Sequence, residues 1–415
     1  MAASPTLETR TERHDRLTYR GNLKETRYGW LRLTPAYSVH LVEELLANAR
    51  ASDERVLDPF CGTGTTALVC ALRGIAADTT DINPFLVWLA KVKTRHYSAR
   101  ERNRFSELGE ELSRVWRTRR KSTDWLPPLH QIEKWWDHEA LGALGRMLAE
   151  LERVQATETK AVVDLAKVAF CQTLIACANV SFGHQSMSFA KQKKRSSASS
   201  ELAHSAWQRA VSTIAESSKT AVLRRPGVKL VDARSLGSAF DANTFSRVIT
   251  SPPYPNRMSY VRELRPYMYW LRYLSDGRAA GELDWRAIGG TWGAATSRVG
   301  RWEPGDGDEV PVRGFAETVR RVARKSPLLA RYLHKYFADM ARHCRELYPL
   351  VAPRGTLHYV VGNSKFYDVL VPVERIFAEL FEAAGFRNAQ CLAIRKRSSK
   401  RELFEFLVSA EKARS

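Results

Sequence analysis

Between residues 55 and 81 the chain passes from a short apolar run, Arg55-Val56-Leu57, through Asp58-Pro59-Phe60-Cys61-Gly62-Thr63-Gly64-Thr65 into an apolar helical pattern, Thr66 to Arg73, stopped by Gly74. A second strand pattern, Ile75 to Thr80, follows and ends at Asp81-Ile82-Asn83-Pro84. Strand, loop, helix and strand in this order form a unit of an open α/β sheet, because a crossover helix returns the chain to a neighbouring parallel strand. Glycines at 62 and 64 let the backbone turn tightly where a side chain would block a ligand. Backbone N–H groups and the helix N-terminus then face the crevice at the carboxyl end of the strand. The loop is not a Walker A motif, since no Gly-Lys-Ser/Thr follows. It also lacks the third glycine of the hydride-transfer fingerprint, Ala67 standing in that region. Asp81 is placed to accept hydrogen bonds from both ribose hydroxyls of a nucleoside, with an Asx turn or helix cap before Pro84 as the competing role. Asp232, which ends a third strand at Val228 to Val231, is a candidate for the adenine amino group.

Downstream, the apolar strand Val248-Ile249-Thr250 runs directly into Ser251-Pro252-Pro253-Tyr254. Two prolines force a rigid, extended exit and leave backbone carbonyls without a ladder partner. The Ser251 hydroxyl and the Pro252 carbonyl can together hold an exocyclic amino group and turn its lone pair toward an electrophile. Tyr254 offers a flat face on which a base can stack. Read alone, the same four residues also suit an ordinary Pro-Pro turn with a core tyrosine.

Charge points to the partner. The 415 residues carry a formal net charge of +20, a surplus that attracts polyanions. Between Lys91 and Lys121 eleven Lys/Arg stand against four Glu, interleaved with Trp116 and followed by Trp125, Trp135 and Trp136. Arg117, Arg119, Arg120, Lys191, Lys193 and Lys194 are candidate phosphate contacts. The six cysteines form no CxxC pair or zinc-type cluster and read as reduced core residues, and His184 has no partner cluster, so no metal site is expected. The first twenty residues are polar and charged, with no signal-peptide pattern, and no apolar stretch is long enough to span a bilayer. A soluble protein of the cytoplasm, associated with the nucleoid and not with a membrane, is expected.

Taken together, the glycine loop, Asp81 and Ser251-Pro252-Pro253-Tyr254 resemble the amino-group DNA methyltransferases, which pair an FxGxG cofactor loop with an S/D/N-PP-Y/F/W catalytic loop. The serine version is typical of the cytosine-N4 branch, the aspartate and asparagine versions of adenine-N6 enzymes. The resemblance implies S-adenosyl-L-methionine as cofactor, with Asp58, Pro59, Phe60, Gly62, Gly64, Thr65, Asp81 and Asp232 around it. Leu33-Thr34-Pro35-Ala36-Tyr37 resembles the family's additional cofactor-contacting motif, which adds Thr34 and Pro35. Ser251, Pro252, Pro253 and Tyr254 are the implied catalytic residues. The implied fold is α/β, a Rossmann-like methyltransferase sheet of seven strands with the last one reversed, which matches a closing hairpin around Lys396 to Lys400. The implied substrate is double-stranded DNA, whose target base is flipped out before direct methyl transfer, and a cognate restriction endonuclease is a partner of the kind such enzymes have. A cytosine-C5 enzyme would need a Pro-Cys nucleophile, and the chain has none.

This divides the chain into a loose stretch at 1–25, a catalytic domain at 26–90 and 227–412, a helical insertion at 91–226 as candidate target-recognition region, and an irregular insertion at 275–312 as a second candidate for DNA contact. The motif order is similar to the family's α arrangement, except that the insertion precedes Asp232. Three other readings compete: an adenine-N6 enzyme, an RNA or tRNA base methyltransferase, and a non-catalytic DNA-binding subunit.

Overall fold

The computed structural model describes residues 17–22, 26–31, 37–117, 125–181, 188–189, 199–256, 259–291, 293–397 and 402–414. Its centre is a seven-stranded sheet: β1 (Arg55–Asp58), β2 (Ala76–Asp81), β3 (Gly227–Leu230), β4 (Phe245–Thr250), β5 (Val351–Gly362), β6 (Arg387–Lys396) and β7 (Phe404–Glu411). They lie side by side in the order β3-β2-β1-β4-β5-β7-β6. The strands from β3 to β5 are parallel, while β7 runs antiparallel to both β5 and β6. This is the expected methyltransferase-type sheet with its last strand reversed.

Period-two alternation builds the two faces. Val56, Ile249, Val360 and Leu407 turn to one side, against helices α1 (Val39–Leu45) and α2 (Thr65–Arg73). Leu57, Val248, Tyr359 and Val408 turn to the other, against α12 (Pro327–Leu347) and α13 (Val373–Ala384). Local signals close these elements at their ends. The Ser38 side chain accepts from His40 N and caps α1, and Gly74 takes a left-handed conformation to end α2.

A third core lies in the connection from β2 to β3. Helix α3 (Pro84–Lys93) packs with α4 (Ala99–Ser113), α5 (His138–Val154), α6 (Lys160–Ala176) and α7 (Ser199–Ser217), and this core continues into α8 (Tyr260–Trp270), just after the double-proline corner. The segment at 275–312, expected to be irregular, holds two helices, α9 (Gly277–Arg286) and α10 (Ala294–Arg301). Asp276 caps α9 through Ala279 N, and Arg298 of α10 reaches Glu282 of α9, so the glycines there mark only the turn between two short helices. Among the described residues no helix is long and apolar enough to cross a membrane. Helix α11 (Phe315–Ala323) packs Phe315 and Val322 into the same core as α12.

Candidate active site

The strand order reverses between β1 and β4, and in an open α/β sheet the crevice outside the carboxyl ends at that point is where ligands bind. The two sequence motifs leave from there. The glycine loop follows β1 and the Ser-Pro-Pro-Tyr loop follows β4, adjacent and parallel, with Thr250 Oγ1 donating to Asp58 Oδ1 at 2.6 Å across the gap. One cavity joins them. Pro59, Phe60, Gly62, Thr65, Asp81, Asp232, Ser251 and Pro253 line it, together with Tyr37, Leu86, Tyr260 and Arg286.

The glycine loop is held from beneath. Gly62 and Gly64 have φ of +51° and +77°, where a side chain strains the backbone, and a Cβ on Gly64 would approach Ala90 Cβ to 3.2 Å. Gly62 N donates to Asp81 Oδ2 at 3.0 Å and Asn83 N to Asp81 Oδ1 at 2.8 Å. Asp81 therefore makes the Asx turn and binds the loop at once, with the Ile82 backbone as a further donor. Burial pushes its carboxyl up to about 6.

Asp58 does not line the cavity. It is 1 % exposed, Oδ1 serves Thr250 and Phe60 N, and Oδ2 has no partner among the described residues. Burial pushes it up to about 7. Asp232 is paired: Arg234 grips both of its oxygens and extends to Asp339 and to the Arg286 carbonyl. Burial works to raise Asp232, Arg234 outweighs it, and the net shift is downward. Thr34 and Pro35 lie outside the described residues, as do Arg119, Arg120, His184, Lys191, Lys193, Lys194 and the Arg117 side chain. Tyr37, the last residue of that motif, is described; its hydroxyl pairs with Thr66 in the first turn of α2.

At the double-proline corner, Ser251 Oγ donates to Val360 O at 3.0 Å and lies beside the Tyr254 hydroxyl. The Pro253 carbonyl accepts from Tyr336 at 2.6 Å, whereas no donor among the described residues reaches the Pro252 carbonyl. Tyr254 stands next to the cavity and not in its lining; its hydroxyl donates to Glu405 Oε1 at 2.8 Å.

Sequence reasoning missed Lys93, Tyr260, Tyr336, Arg397 and Glu405. Lys93 Nζ is buried beneath the loop and donates to Thr63 O and Tyr28 O at 3.1 Å each. Burial brings it down to about 7. Its position at the end of a basic, apolar helix looks like a solvated charge, and nothing local signals otherwise.

No family model matches the chain. It is similar to the type II methyltransferase M.AvaI of Nostoc sp., with 22% identity over 409 residues, covering 91% of this chain and 83% of that one. A shorter likeness, 33% over 78 residues, links it to the type II methyltransferase M.BsoBI of Geobacillus stearothermophilus, covering 19% of this chain and 15% of that one. Among solved structures, a SAM-dependent methyltransferase from Methanosarcina mazei aligns over 89% of this chain and 97% of its own, at 10% identity and a TM-score of 0.30.

Proposed function

We propose that this chain methylates an exocyclic amino group in double-stranded DNA, using S-adenosylmethionine, and that the group is N4 of cytosine. The observation that carries this is the shared cavity, in which Gly62 and Asp81 face Ser251 and Pro253 across the switch point of the sheet. The likeness to M.AvaI, spread over most of both chains and named for type II methyl transfer, supports DNA as the substrate.

The residues suit the cofactor. Phe60, Ile82, Leu86 and Ile288 give the cavity apolar walls for an adenine ring, while Asp81 and Asp232 add acceptors. The buried, unpartnered oxygen of Asp58 favours a nearby cation. When bound, the cofactor supplies an electrophilic methyl group on a sulfonium. Asp81, which lines the cavity at the end of its strand, would hold the ribose. The Pro252 carbonyl, on a buried residue beside the cavity, and the Ser251 hydroxyl would hold the target amine and aim its lone pair, and Tyr254 would stack on the extruded base. Positioning does the work, without a covalent enzyme intermediate or a strong base. Ser251 in place of Asp or Asn favours cytosine over adenine. The helices within 91–226 are the proposed target-reading region, with 275–312 contributing.

Incubation with cofactor labelled in its methyl group and either duplex DNA or RNA, followed by mass spectrometry of the nucleosides, tests the reading. Label in N4-methylcytosine from DNA is expected. Label in N6-methyladenine, or in RNA alone, would replace it with a rival. Ser251→Ala and Tyr254→Ala should each lower transfer by about 100-fold or more while calorimetry still detects cofactor binding.

A further inference from the structure

The Tyr254 hydroxyl lies beside the Ser251 side chain, yet the chemistry just proposed gives it no contact with the base. Stacking needs only the ring, and the resembled loop pattern admits Phe or Trp at this place. Here the hydroxyl is held firmly. It donates to Glu405 Oε1 at 2.8 Å, and Glu405, on β7, is only 6 % exposed. Arg395 of β6 binds the same carboxylate in fork geometry, Nε to Oε2 at 2.7 Å and Nη2 to Oε1 at 3.0 Å. A carboxylate gripped in that way is fixed in orientation, and so is any hydroxyl that donates to it.

Just past β6, Arg397 lays its guanidinium over the Tyr254 ring, 4.9 Å from the centroid, and donates from Nη1 to Asn363 O at 2.8 Å. Gly362, the cross-strand partner of Glu405, makes room for both: a Cβ there would collide with Arg397 Nη1 and come within 2.9 Å of Tyr254 Cε2. One contact sets the ring's angle and the other covers one of its faces.

We propose that Glu405 is a positioning residue for methyl transfer, and that with Arg397 it makes the closing hairpin a wall of the base pocket. Glu405 fixes the plane of Tyr254 and Arg397 backs one face, so an extruded base would stack on the opposite one. The proposal rests on reading Ser251 to Tyr254 as the catalytic loop. A ring free to turn would hold the base in several poses, of which few present the amine to the methyl group.

The test is steady-state transfer to duplex DNA by Tyr254→Phe, Glu405→Ala, Glu405→Gln and the Tyr254→Phe/Glu405→Ala double variant. Tyr254→Phe and Glu405→Ala are each expected to lower kcat by about 30- to 100-fold, the scale of a slightly misplaced reactant, with the KM for cofactor nearly unchanged. Glu405→Gln keeps an acceptor for the hydroxyl and should recover most of the rate. The double variant should fall no lower than Glu405→Ala alone, since the bond that Tyr254→Phe removes is already gone there. Wild-type kcat in Tyr254→Phe, or multiplicative losses in the double variant, would overturn the proposal. Should Glu405→Ala fail to fold, Tyr254→Phe decides, because it removes a single oxygen. A wild-type chain that methylates no nucleic acid removes the catalytic-loop reading itself and the proposal with it; an active wild type with an equally active Tyr254→Phe removes the proposal alone.

Discussion

Asp58, Asp81 and Lys93 surround the glycine loop with groups that titrate near neutrality. Burial places Asp58 at about 7, Asp81 at about 6 and Lys93 at about 7, while His343, lowered to about 4 by burial, stays neutral over the same range. Lowering the pH through this window protonates both carboxyls and charges the lysine, and each change makes the cavity less welcoming to a cation. Affinity for S-adenosylmethionine should therefore fall as pH drops from about 8 to about 5.5, and Asp58→Asn should flatten the upper part of that profile. Calorimetry at several pH values reads this directly, and a pH-independent affinity would contradict it. The residue types in these loops were legible because each motif is local: a glycine turn, an aspartate at a strand end, two prolines after a strand. Their partners were not. Glu405 lies 151 positions from Tyr254 and Lys93 lies 30 from Thr63, and no short-range pattern encodes such a meeting. Asp81 also shows why one role need not exclude another, since the Asx turn and the loop anchor are the same carboxylate.

Among the elements, strands and long amphipathic helices were read within a few residues, because hydrophobic periodicity marks them strongly. Helix α13, Val373–Ala384, buries Val373, Ile376, Phe377, Leu380 and Phe381 at helical spacing. Helices α9 and α10 were not anticipated; they have ten and eight residues, bracketed by glycines that resemble loop signals. Also unforeseen was the clamp at the root of the long insertion. Arg27 is fully buried and donates to the carbonyls of Lys93 and Arg95, where the chain leaves the sheet, and of Ser217, Ser218 and Thr220, where it returns. Arg27→Met would strand these acceptors without a donor, at a cost on the order of 3 kcal/mol or more. A lowered denaturation midpoint, with loss of protection first at both ends of the insertion in hydrogen exchange, is the expected result. An unchanged midpoint would show that water replaces the guanidinium.

Over the whole molecule, the charge of +20 sets how a polyanion is met. If phosphate contacts dominate, as the proposed function requires, the logarithm of DNA affinity should fall linearly with the logarithm of salt. A protein making six or more such contacts loses about 10³-fold or more between 50 and 200 mM salt. Fluorescence anisotropy with a labelled duplex measures the slope, and a flat line would argue against DNA as the partner. Architecture at this scale was readable because a single strand-loop-helix-strand unit fixes the sheet class, and the closing pair of strands fixes its edge. The three separate cores were not, since packing among distant helices leaves no mark in local periodicity.

The position of β7 has a consequence for how the protein is made. It is translated after every other strand of the sheet yet inserts between β5 and β6. Until it emerges, a nascent chain already holds both motif loops, but β5 presents a bare edge, β6 has no neighbour to join, and Tyr254 lacks its carboxylate. Completion of the sheet and assembly of the tyrosine's support thus become one event.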